Sequence, residues 1–149
     1  MNKGKNVLNF EIEGGHKLSG IVTTKTSKNG AMGIISASLL NKGKTTLKNV
    51  PKIEEVNRII EVLLSIGVKI TWIGNDLEIE AKKIDLTKIN KESAEKTRSV
   101  IMLIGPLVHF FKKFSLPQSG GCKLGARTVN PHFFAYGSLP IYLLKIIGE

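Results

Sequence analysis

The residues best able to do chemistry are concentrated between Ser115 and Asn130, where the chain's single cysteine lies in the run Gly120-Gly121-Cys122-Lys123-Leu124-Gly125-Ala126-Arg127. Glycine admits positive φ and lets a ligand approach the backbone closely, while neighbouring cations favour a thiolate and hold anions. Lys123 and Arg127 supply such cations. The loop therefore has two readings: a reactive thiol beside an anion pocket, or a buried cysteine in an ordinary turn, a common fate of free cysteine.

Whole-chain properties narrow the surroundings. With 149 residues, 42% of them hydrophobic, the chain is long enough for one domain with a real core. One cysteine makes no internal disulfide, and no Cys/His spacing suggests a metal site, so neither a disulfide scaffold nor a metal centre is expected. The apolar run from Met1 to Phe10 is too broken for a signal peptide, and Val100 to Phe111 is too short to span a bilayer. A cytoplasmic protein is expected. The net charge of +10, from 22 Lys+Arg against 12 Asp+Glu, suits a polyanionic partner, either nucleic acid or a phosphorylated small molecule. The lysines are scattered through turns and helix ends, and no aromatic stacking surface or base-reading motif accompanies them, which argues against nucleic acid.

The elements that must position the loop follow from periodicity. Leu18 to Thr24 reads as a strand and Ala31 to Leu40 as a helix closed by Gly43. Thr45 to Val50 reads as a second strand. Pro51 then precedes a helix whose Val56, Ile59, Ile60, Leu63 and Leu64 share one face, and Gly67 ends it. Val68 to Ile73 and Leu77 to Ala81 alternate about Gly74-Asn75-Asp76 as a β-hairpin. The order is β-α-β-α-β-β.

A second unit starts with a short strand at Ile84 to Leu86. Asn90 and Glu92 open a helix from about Ser93 to Lys112, apolar on every side between Val100 and Leu107 and kinked or ended by Pro106. Phe114 to Leu116 is the strand before the cysteine loop, and a helix follows from about Val129. From Gly137-Ser138-Leu139-Pro140 onward the repeat fails, with one short apolar run from Ile141 to Ile147. The fold class is α/β (α+β), a single partial domain over residues 1–149, with one unit over about 14–81 and an incomplete one over about 82–149.

Taken together, Gly14-Gly15 with Leu18-Ser19-Gly20, Ser27-Lys28-Asn29, Asn49-Val50-Pro51, Leu64-Ser65-Ile66-Gly67, Lys96-Thr97-Arg98-Ser99, Gly105-Pro106-Leu107 and the cysteine loop resemble, in order and spacing, the UDP-N-acetylglucosamine enolpyruvyl transferases of the enolpyruvate transferase family. The resemblance reaches to about His132. It implies βαβαββ units in an inside-out α/β barrel domain, with the active site in a cleft against a second domain that contributes an aspartate base and a further arginine. It also implies transfer of enolpyruvate from phosphoenolpyruvate to the 3-hydroxyl of UDP-N-acetylglucosamine, an early step of peptidoglycan synthesis, without a cofactor. The missing second domain or self-association would complete the cleft. The alternatives are a non-catalytic remnant binding a phosphorylated ligand and a basic nucleic-acid-binding module.

By motif match, Lys28 and Asn29 would contact phosphoenolpyruvate and the sugar nucleotide, Arg98 the diphosphate side, and Arg127 the phosphates. Thr128, Val129, Asn130 and Pro131 would lie near the nucleotide, and Cys122 would be the general acid. Simpler roles remain beside these: Lys28 as a solvated charge, Asn29 as a helix N-cap, Arg98 as a helix end, His109 and His132 as packed side chains. The chain also departs from the pattern. Gln118-Ser119 lengthens the cysteine loop, Thr26-Ser27 replaces a usual Gly-Ala, Gly30 replaces Ala, and Thr128 and Asn130 replace Pro and Asp. Tyr136 to Glu149 does not follow the family, which suggests a truncated, frameshifted or divergent copy.

Overall fold

A computed structural model describes residues 11–120, 131, 134 and 144–147. Its first helix, α1 (Lys28–Ala37), begins where Ser27 accepts the Gly30 amide at 3.1 Å, and a 3-10 turn extends it over Ser38–Leu40. Ser27 is thus the cap, and Asn29, for which capping was one reading, sits inside the first turn. An N-cap hydroxyl satisfies an amide with no intrahelical acceptor. Ser27→Ala is expected to cost about 0.5–2 kcal/mol, read from the denaturant midpoint.

Strand β1 (Lys44–Leu47) leads through Asn49-Val50-Pro51 into α2 (Glu54–Ser65), whose first turn carries Glu54 and Glu55 where the helix dipole favours acids. Val56, Ile59, Val62 and Leu63 bury one side of α2, as the 3.6-residue period requires. Leu64, expected on that face, is instead 48% exposed, because the buried stripe turns through Val62 and Ile66 rather than through it. Gly67, at φ +93°, ends the helix in the left-handed region, with the Lys83 carbonyl 3.1 Å from where a Cβ would stand.

The hairpin forms as expected. β2 (Lys69–Ile73) and β3 (Asp76–Glu80) pair antiparallel with Ile73 opposite Asp76. Positive φ at Gly74 but not at Asn75 matches a type II′ turn, whose twist suits the flanking strands. β1 pairs with the other edge of β3, giving the antiparallel order β1-β3-β2. The strand expected over Leu18 to Thr24 is absent: the segment has no ladder partner among the described residues, and Leu18 and Ile21 are 93% and 98% exposed. Strand propensity without a neighbouring edge leaves backbone groups to water.

The second half corrects two expectations. Leu86–Lys88 is a 3-10 turn capped by Asp85, not part of a strand at Ile84 to Leu86. The long helix expected from Ser93 to Lys112 divides into α3 (Lys91–Glu95), a 3-10 run at Arg98–Leu103 and α4 (Ile104–Leu107). Asn90 caps α3 as expected, but Thr97 adopts an extended conformation and caps a new start by accepting the Ser99 amide. A threonine that captures a local amide competes with helix continuation. Val100, Leu103, Ile104 and Leu107 are buried, whereas Met102 is exposed, so this run is not buried on every side.

Strand β4 (Phe114–Pro117) pairs in parallel with β5 (Leu144–Ile147), placing the strand before the cysteine loop beside the last apolar run. Pro131 and Phe134, in the region of the helix expected from Val129, are both helical. One cluster of buried side chains links the two halves, from Met32 and Ile35 on α1 through Ile59 and Leu63 on α2 and Leu77 on β3 to Leu103, Leu107 and Leu116. Mixed helix and strand around this core fits an α/β fold of the kind expected.

Candidate functional site

Lys28 occupies the first position of α1, where a cation opposes the positive end of the helix dipole. The conflict is relieved across elements: its ammonium donates to Glu55 Oε1 at 2.8 Å, with the two side chains 48% and 45% exposed. Glu55 is held below its usual pKa first by that hydrogen bond and next by its own backbone amide in the first turn of α2. Asn29, the neighbouring candidate, is exposed.

Two loops meet beside α1. Thr26 Oγ1 donates to the Asn49 carbonyl at 2.7 Å, and Asn49 itself takes φ +52°. The Asn49 amide donates to Asp76 Oδ1 at 3.0 Å, and the Val50 amide to the Asn75 carbonyl at 2.9 Å. Thr26 and Ser27, noted from sequence only as departures from the family pattern, thus have specific work: one ties the approach to α1 onto the Asn49 loop and the other caps the helix. Their spacing before a helix was the available signal.

Two hollows flank the Thr26–Asn49 bond and share Thr26, Asn49, Val50 and Pro51 as lining. One, of about 320 Å³, extends along Gly30, Ala31 and Ile34; the other, of about 390 Å³, is bordered by Lys25, Lys52 and Asn75. Neither is lined by Lys28, Asn29 or Arg98.

Arg98 stands half-buried at the start of the 3-10 run, directly after the Thr97 cap. Gly120 packs against the Glu95 carbonyl at the end of α3, so tightly that a Cβ there would overlap the carbonyl oxygen. The start of the cysteine loop is therefore pinned to the segment that leads into Arg98, and glycine is required by close approach. Cys122, Arg127, Thr128, Val129 and Asn130 lie outside the described residues, as does His132; Pro131 is exposed. His109 is exposed, contrary to the packed role expected of it. Among the described residues no cluster of three or more His, Cys, Asp or Glu side chains could hold a metal ion, and no helix is long and apolar enough to cross a membrane.

The loop clamp predicts acid sensitivity. Asp76 is held below its usual pKa first by Lys48, at 2.6 Å, and then by the Asn49 amide. A carboxylate depressed on folding contributes stability above its unfolded pKa of about 3.9, and that contribution is lost as pH falls through the lower folded value. Denaturant midpoints should therefore fall as the pH drops below about 4, and less steeply in Asp76→Asn.

The family model described as EPSP synthase (3-phosphoshikimate 1-carboxyvinyltransferase) matches residues 12–139, a stretch containing every element above except β5, and the chain belongs to that family. Among individual relatives, UDP-N-acetylglucosamine 1-carboxyvinyltransferase 1 of Legionella pneumophila (strain Lens) is 36% identical over 138 residues, covering 92% of this chain and 27% of that protein. The UDP-N-acetylglucosamine 1-carboxyvinyltransferase of Bradyrhizobium diazoefficiens is 35% identical over 133 residues, covering 89% and 31%. That of Borrelia garinii subsp. bavariensis is 32% identical over 140 residues, covering 94% and 33%. The chain thus spans about a third or less of the length of these relatives.

Proposed function

We propose that this chain is a segment of a UDP-N-acetylglucosamine 1-carboxyvinyltransferase, supplying one wall of a site that adds the sugar 3-hydroxyl to C2 of phosphoenolpyruvate. The observation that carries the reading is one of co-location: a single family match runs through Lys28, Asn29, Arg98, Cys122 and Arg127. Relatives named for this reaction align over most of the chain. The partial domain would be organised as βαβαββ units of an inside-out barrel, one over about 14–81 and an incomplete one over about 82–149.

Both substrates are anionic, so a site for them needs fixed cations and a proton donor over the enol carbon. Lys28 and Asn29 would hold phosphoenolpyruvate and the sugar nucleotide, Arg98 the diphosphate, and Arg127 the phosphates, with Thr128 to Pro131 beside the nucleotide. The Cys122 thiol would deliver a proton to C3 as the hydroxyl oxygen, giving its own proton to the aspartate base of the complementary domain, bonds to C2. Loss of a C3 proton to a base together with phosphate would then convert the tetrahedral intermediate into the enol ether. The docking of Gly120 on Glu95 supports this reading by bringing the start of the cysteine loop to the Arg98 side. No cofactor is needed for the reaction, and a lone cysteine suits the cytoplasm, where phosphoenolpyruvate is available.

The test is phosphate release from phosphoenolpyruvate and UDP-N-acetylglucosamine by the purified chain. Folded protein without turnover is expected, because the wall carrying the aspartate base is supplied elsewhere. Turnover by the chain alone that disappears in Cys122→Ser would overturn the segment reading in favour of a self-completed site.

A further inference from the structure

We infer that Glu55 is the positioning residue for Lys28, fixing its ammonium at the start of α1 so that an anionic substrate meets an ordered cation. The inference rests on the proposal that Lys28 contacts phosphoenolpyruvate. Its physical basis is the 2.8 Å contact between the first turns of two helices 27 residues apart in sequence. Glu55 is itself set for the task, since the dipole and amide at the start of α2 stabilise its charge.

An ammonium has three donors, and Glu55 takes one, which leaves two for a phosphate or carboxylate. Glu55 also brings a negative charge near an anion, which opposes binding. That repulsion is screened at a half-exposed site, whereas ordering a free lysine costs one of the larger side-chain entropies. Pre-ordering therefore outweighs repulsion, and substitution of Glu55 weakens anion binding at Lys28.

Competitive acetylation of the folded chain, read lysine by lysine by mass spectrometry, tests this with and without phosphoenolpyruvate. The exposed Lys17 and Lys42 serve as internal references. Without ligand, Glu55→Gln should raise Lys28 labelling about two- to fivefold relative to the references, and Glu55→Asp should restore part of the slow rate. Phosphoenolpyruvate should protect Lys28 in the native chain and protect it at least severalfold less in Glu55→Gln. A merely structural role would not move this ligand-dependent difference at one lysine. Unchanged labelling in Glu55→Gln overturns the inference, whatever the ligand does. Equal protection in native chain and variant also overturns it while leaving the family reading of Lys28 intact. If Lys28 responds to Glu55→Gln but gains no protection in the native chain, the inference that Glu55 readies Lys28 for an anionic substrate falls, while the family reading, which places the rest of the site on the complementary domain, stands.

Discussion

Leu63→Ala is expected to destabilise the fold by about 2–5 kcal/mol, whereas Leu64→Ala, one position on, should cost less than about 1 kcal/mol. Leu63 is fully buried in the core cluster that also holds Leu77, Leu103 and Leu107, so truncation removes transfer energy and leaves a cavity that close-packed neighbours fill only in part. Leu64 is 48% exposed and leaves little behind. Paired denaturant titrations at one temperature read the difference directly. Equal losses would mean that α2 presents the face inferred from periodicity rather than the one rotated through Val62 and Ile66.

The second large effect concerns chemistry. Once the cleft is completed by the complementary domain, Cys122→Ser should lower turnover about 10²–10⁴-fold, the span typical for loss of a positioned acid. A serine hydroxyl has nearly the same shape but holds its proton far more tightly than a thiol, so loop geometry is kept while proton delivery to C3 fails. Substrate affinity should change much less than the rate, because the cations proposed to hold phosphate and diphosphate remain. A variant with unimpaired turnover would remove Cys122 from the proton path.

What sequence could show was local. The α2 stripe apart from Leu64, the Asn90 cap, the Gly67 stop and the Gly74-Asn75 turn each depend on residues a few positions apart, and all four are present. The expected strand at Leu18 to Thr24 depends on an edge to pair with, which no local pattern specifies. Parallel pairing of β4 with β5, across residues 118–143, was hidden for the same reason. The long helix failed at Thr97 because an apolar run alone does not distinguish α from 3-10 geometry, and the capping threonine decided it.

The candidate site divides along the same line. Lys28, Asn29 and Arg98 are candidates that a motif can nominate, but Glu55, which pairs with Lys28, is not, since that contact arises only when the starts of α1 and α2 meet. Similarly, Thr26-Ser27 looked like a departure from a pattern, and its function emerged from hydrogen bonds to Asn49 and Gly30. Gly120 was legible as part of a glycine-rich run, but not its reason, which is the backbone of Glu95.

The most direct test of the central claim is complementation. The part of the Legionella pneumophila relative beyond its stretch similar to this chain would be mixed with the chain, phosphoenolpyruvate and UDP-N-acetylglucosamine, and phosphate release followed, with the relative's own matching stretch as positive control. The account predicts release that needs both pieces and both substrates and is lost with Cys122→Ser. Restoration by the relative's own stretch but not by this chain, although the chain is folded and bound to its complement, would contradict it.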